Sequence, residues 1–254
     1  MGEEENKLNV LSHLQELRGR LVKSLIAIAI GIAICFPLAR YLFDFLLNPV
    51  PGIDLYYTNV TGLLGSYMKV CLYGGLAISM PFILYQVIMF VKPALTRKEK
   101  GYLYTLLPAV ILLFVGGVVF CYFVLLPPAL RFLYYTFPTF VGGEILPWWT
   151  VGDYVSVVTR LLFWLGMVFE IPLVMFFLSK IGVISPEWVA RKWKYAVVFA
   201  FIIGAIITPT FDPINQSLVA GPVIVLYALG YVLTRVARIG RAPVLSASAE
   251  TESR

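Results

Sequence analysis

Apolar residues in this chain come in long uninterrupted runs, with polar residues gathered between them. About 20 apolar residues carry a helix across a hydrocarbon core of about 30 Å. Six segments read as spans: 21–43, 70–91, 101–130, 161–179, 195–208 and 213–234. The second and third contain no charged residue, and the fourth is interrupted only by Glu170. The fifth and sixth read as short. The fifth, 14 residues long, reaches only about 21 Å. It ends at Thr208-Pro209, where proline cannot continue the hydrogen-bond ladder. A re-entrant segment and a true span are both compatible with that length. Prolines within the runs (Pro81, Pro108, Pro172 and Pro222) predict kinks, and kinked helices enclose a concave groove more readily than straight ones. The pattern predicts an all-α membrane protein, a single six-helix domain over 1–235 with a disordered tail over 236–254.

Charge orients the spans. Sixteen of the 20 Lys and Arg residues fall in the N-terminal stretch, the second loop, the fourth loop and the tail. The positive-inside rule then places both termini in the cytoplasm and requires an even number of spans, so the fifth run counts as a crossing. Trp148 and Trp149 suit an interfacial belt on the outer side. The first 20 residues, polar and initially acidic, do not read as a cleavable signal peptide. Composition agrees with the spans: 60% hydrophobic and 13% charged, against about 25% charged in a soluble domain. The net charge of +6 is explained by orientation, and no nucleic-acid module is visible.

Glu170 has nine uncharged residues on each side. A charge at mid-membrane costs roughly 2.5–3.5 kcal/mol on insertion scales. Taking up a proton and bonding a neighbouring helix would relieve that cost; so would facing a water-filled cavity. The segment from His13 to Leu21 places Leu14, Leu17 and Leu21 on one helical face, with Ser12 as an N-cap and Glu16 and Arg20 as an i, i+4 pair. It reads either as an amphipathic lead-in to the first span or as a surface carboxylate able to receive a cationic peptide. Glu99 is the only acid among the basic residues of 92–100. Close to Glu16, it would complete a fork for two guanidinium groups, each bonding bidentately. Asp212 reads as a turn or N-cap for the sixth helix, and Gln216 as a residue that bonds another helix.

Catalysis finds little support, and the chain does not read as an enzyme. His13 is the only histidine and precedes the first span, and no GxxxxGK[ST] loop occurs. Cys35, Cys71 and Cys121 are too widely spaced for a metal site and read as packing residues. No cofactor or metal is expected. A proton-coupled small-molecule transporter carrying its proton on Glu170 is one alternative, although no internal repeat supports it.

Four ordered blocks carry a resemblance. They are His13-Leu14-Gln15-Glu16-Leu17-Arg18-Gly19-Arg20-Leu21; Pro81 to Gln86 followed by Phe90-Val91-Lys92-Pro93-Ala94-Leu95 and Glu99; Phe169-Glu170-Ile171-Pro172; and Thr208-Pro209 with Asp212. Over roughly 10–235 the chain resembles the TatC family, the receptor component of the twin-arginine protein translocase. The resemblance implies binding of twin-arginine signal peptides on folded precursor proteins. It also implies recruitment of TatA- and TatB-type single-span proteins, self-association in a larger complex, and transport driven by the proton-motive force. The location implied is the cytoplasmic (inner) membrane of a bacterium or archaeon. By the same resemblance Glu16 and Glu99 receive the arginines, and Leu17, Arg18 and Phe90 shape that site. Glu170 lies in the concave groove, Gln216 meets a partner helix, and Pro49 and Asp212 support the outer face.

Overall fold

A computed structural model describes residues 2–49, 55–58, 60–91, 97–142, 148–208 and 212–238, the side chains of 2–13, 60, 91, 97–107 and 140–141 excepted. Helix α1 runs over Gly2–Leu47. At 1.5 Å per residue it is about 69 Å long, more than twice the hydrocarbon core. Its apolar part is Leu14–Leu47, so its first turns extend beyond the core. Ser12 is therefore inside the helix and not its N-cap. No proline interrupts the stretch before Pro37, so helix continues upstream.

Helix α2, Val60–Val91, packs along α1. It starts ten residues before the predicted 70, because Lys69 finds a lateral partner: its Nζ donates to Ser156 Oγ at 2.7 Å. The α1–α2 contact is made by small residues. A Cβ at Gly31 would lie 2.5 Å from the Gly75 carbonyl oxygen, and one at Gly74 would lie 2.5 Å from Cys35 Sγ. Removal of side chains lets the two backbones touch, as in membrane helix pairs generally. Cys35, Cys71 and Cys121 are all fully buried.

Helix α3, Arg97–Phe120, continues past the predicted 130 to Val141 through two π-helical turns, Cys121–Leu125 and Phe132–Thr136. Pro127, Pro128 and Pro138 supply no N–H to the carbonyls four residues earlier. The wider turns absorb the defect: Leu126 N–H donates to the Cys121 carbonyl and Phe137 N–H to the Phe132 carbonyl. The fourth predicted span is split into α4, Val151–Val168, and α5, Ile171–Lys180. It begins ten residues before the predicted 161. Thr150 Oγ1 caps α4 by accepting from Asp153 N–H at 3.1 Å, which sets the start of the helix. The break before Pro172 follows from its missing N–H, and Glu170 N–H turns tightly to the Met167 carbonyl at 3.1 Å. Pro81, Pro108 and Pro222, by contrast, sit inside continuous helices.

A short helix α6, Pro186–Arg191, capped by Ser185, precedes α7, Trp193–Ile207. The 15 residues of α7 reach about 22 Å, the short run the sequence predicts. Helix α8, Pro213–Arg238, is not short. Its 26 residues reach about 39 Å, and Arg235 and Arg238 extend it by complementing the dipole of its last turn. The predicted tail boundary at 236 falls inside this helix, and residues 239–254 lie outside the described set. Among the described residues, five helical segments are long and apolar enough to cross a membrane, and α7 is a shorter apolar one.

The core lies around α4, where Tyr154, Val155, Val158, Leu161 and Leu165 meet Leu125, Leu126, Leu130, Ile207 and Val219. Two tyrosines satisfy carbonyls that α1 leaves open at its C-terminus: Tyr122 Oη donates to Phe45 O at 2.8 Å and Tyr154 Oη to Leu46 O at 2.9 Å. At the same end β1, Leu55–Tyr56, pairs in parallel with β2, Trp149–Thr150. Tyr56 stacks on Trp148 at 4.1 Å. The opposite end holds the basic residues: Lys180 Nζ donates to Ala237 O, and Arg238 pairs with Glu187 at 3.1 Å. There the Glu187 carboxyl is held below the usual range by its own backbone N–H, then by the Ser185 hydroxyl and by Arg238 and Arg235. Leu112, Phe123, Tyr195 and Ile206 face outward, which suits lipid contact.

Candidate functional site

The polar site at the basic end is built by two helices. Glu16 and Arg20 stand one turn apart on α1, and Gln86 stands one turn before the end of α2. Arg20 donates to Glu16 Oε1 from Nε at 3.1 Å and from Nη2 at 2.5 Å, and from Nη1 to Gln86 Oε1 at 3.4 Å. Gln86 is buried, while the Glu16 side chain keeps about a third of its surface exposed, at 32%. Leu17 and Arg18 are exposed beside it, and Phe90 lies half-buried one turn beyond Gln86. The first half of α1 and the end of α2, far apart in sequence, are thus brought together. Glu99 is the third residue of α3, and its side chain lies outside the described residues. The arrangement is chemically specific, because a carboxylate and an amide oxygen together hold one guanidinium.

Glu170 is different. It sits at the break between α4 and α5, 5% exposed, and its Oε1 finds no hydrogen-bond partner among the described residues. The ten residues of α5 set it about 15 Å from the basic end, close to the middle of a 30 Å core. It lines a cavity of about 190 Å³ whose other walls are apolar, among them Leu84, Val87 and Ile88 of α2, Val110 of α3 and Phe177 of α5.

At the far end Asp212 caps α8. Its Oδ1 accepts from Asn215 N–H at 2.7 Å and its Oδ2 from Asn215 Nδ2 at 3.1 Å. Gln216 Nε2 donates to the Phe201 carbonyl of α7 at 2.9 Å, so this side chain does bond another helix, one of its own chain. A Cβ at Gly204 would meet Gln216 O at 2.9 Å, which records how closely α7 and α8 pack there. Pro49 is half-buried just after α1, and Pro209 lies outside the described residues. No cluster of metal-ligating residues occurs among the described residues. The contact that the sequence left unseen is Arg20 to Gln86, 66 positions apart in the chain; only the Glu16–Arg20 half of it has a local spacing signal.

The family model for the Sec-independent protein translocase protein TatC matches residues 12–222. The chain belongs to the TatC family. The TatC protein of Aquifex aeolicus is 41% identical over 229 residues, spanning 89% of this chain and 94% of its own. That of Koribacter versatilis is 35% identical, over 87% and 83%. A crystal structure of the twin arginine translocase receptor TatC superposes with a TM-score of 0.79 at 41% identity, covering 89% of this chain and 99% of its own. The chain is therefore a multi-pass membrane component of the twin-arginine, Sec-independent protein translocase. The small-molecule-transporter alternative gives way to this assignment.

Proposed function

We propose that this TatC protein receives twin-arginine signal peptides at the Glu16 site and has six spans with both termini in the cytoplasm. Glu16 and Glu99 accept the two guanidinium groups, while Leu17, Arg18 and Phe90 shape the surface around them. Glu170 is the polar point of the groove midway across. Gln216 meets a partner helix of the TatA or TatB type, and Pro49 and Asp212 hold the outer face. Copies of the chain assemble with those partners in the cytoplasmic membrane and move folded precursors at the expense of the proton-motive force. The protein performs no catalysis of its own.

The observation that carries this reading is the Glu16–Arg20–Gln86 contact, since a site already holding one guanidinium has the chemistry for another. Sidedness supports it. Arg20 joins the first half of α1 to the end of α2, and the Glu170 cavity joins that end of α2 to α5, which leads to Lys180 and its bond to α8. These ends carry the clustered cations, as a cytoplasmic face does.

Site-specific crosslinking from position 99 to a twin-arginine peptide, compared with a twin-lysine peptide, tests the reading. Losing a charge-assisted hydrogen bond predicts a drop of about ten-fold or more in twin-arginine capture for Glu16→Ala and for Glu99→Ala. Equal capture by the parent and both variants overturns it.

A further inference from the structure

One of the two Glu16 oxygens that a bidentate fork from an incoming arginine would use is already occupied. Two donors of Arg20 converge on the same atom, Glu16 Oε1, and its third contact anchors the guanidinium to the buried Gln86. The Arg20 side chain is itself only 20% exposed. It is tethered one helical turn from its acceptor, so its effective concentration there is high and independent of what the cell supplies. An i, i+4 pair in a partly exposed setting is weak, which makes the occupant displaceable.

We propose that Arg20 is a resident competitor, a stand-in for a signal-peptide arginine that must leave Glu16 before the peptide binds. The proposal rests on the reading of Glu16 as the acceptor. Its consequence is a threshold. Displacing Arg20 subtracts the same free energy from every ligand, as any fractionally open site does. Tight twin-arginine peptides survive the loss, whereas peptides with lysines, which lack the bidentate fork, fall below useful occupancy. Arg20 thus sets how strong a signal must be, without altering the ratio between strong and weak ones.

The test measures binding of fluorescent twin-arginine and twin-lysine peptides to the full translocase in membranes. Arg20→Gln removes the competitor and keeps an amide beside Gln86. It raises affinity for both peptides by one common factor, about two- to ten-fold given the modest strength of such pairs. Gln86→Leu removes only the anchor, gives a smaller gain of the same sign, and serves if Arg20→Gln assembles poorly. In a Glu16→Gln background the gain from Arg20→Gln vanishes, which separates competition at this carboxylate from general charge repulsion. Weaker twin-arginine binding in Arg20→Gln overturns the proposal, because Arg20 then positions Glu16; so does no change, or a gain that persists without Glu16. If Glu16→Gln alone leaves twin-arginine binding intact, the acceptor reading itself has failed, whatever Arg20 does.

Discussion

Glu16 stands on an uninterrupted helix, partly exposed, with a guanidinium against it. Glu170 stands at a helix break, buried among apolar walls, with one oxygen unbonded among the described residues. The helices explain the difference. Helix α1 is long enough to carry Glu16 out of the hydrocarbon core, so water and Arg20 share its solvation. The α4–α5 pair is broken at the middle of the core, where neither water from the surface nor a lysine stem from either end reaches easily. The first carboxylate costs little, and its partly exposed pair with Arg20 is exchangeable. The second costs a sizeable part of a protein's net stability, which is only about 5–15 kcal/mol. A residue that expensive calls for a use that folding does not supply.

That contrast breaks most visibly at position 170. Replacing Glu170 with Leu fills part of the apolar cavity and removes the unbonded oxygen. Thermal unfolding in detergent should show a gain in stability of about 1–3 kcal/mol, the usual penalty of an unsatisfied buried polar group. Export of a folded twin-arginine precursor should fall sharply in the same variant. A loss of stability instead would mean that Glu170 is a structural bond between helices, and the contrast with Glu16 would disappear.

Accessibility sharpens the same comparison with a smaller effect. A cysteine at 170 should react with a membrane-impermeant thiol reagent more slowly than a cysteine at 16, by about ten-fold or more for a group held from water behind a local opening of a few kcal/mol. Cys35, Cys71 and Cys121 are fully buried and give a low background. Equal rates at 16 and 170 would show that water fills the groove to mid-membrane.

Much of this arrangement was legible in the sequence, for a physical reason. Runs of apolar residues report the solvent directly, so the spans and the short α7 follow from hydropathy. Asp212 as cap and Gln216 as interhelical donor follow from residue type and position. What was hidden depends on lateral partners. The second and fourth spans begin earlier than hydropathy marks them, because Ser156 partners Lys69 and Thr150 caps the helix ahead of Asp153. The β1–β2 pair joins residues more than ninety positions apart over two-residue strands, too short to show any alternation. The π-helical turns of the third span depend on how the proline defects are absorbed, and Arg20 to Gln86 is a contact across helices that no local spacing records.

The smallest effect falls on Glu16. Its bond to Arg20 is an i, i+4 pair with both side chains partly exposed, 32% and 20%. Pairs of that kind contribute about 0.3–0.5 kcal/mol, and salt screens them further. Glu16→Gln keeps the shape and an acceptor oxygen, so unfolding stability should change by less than about 0.5 kcal/mol, the usual range for a surface substitution. Capture of a twin-arginine peptide should nevertheless drop, and raising ionic strength should weaken capture by the parent more than by the variant. A destabilisation beyond about 2 kcal/mol would show that Glu16 holds α1 to its neighbours rather than waiting for a ligand. The two carboxyls would then both be parts of the scaffold, and the guanidinium acceptor would have to be sought elsewhere on the basic face.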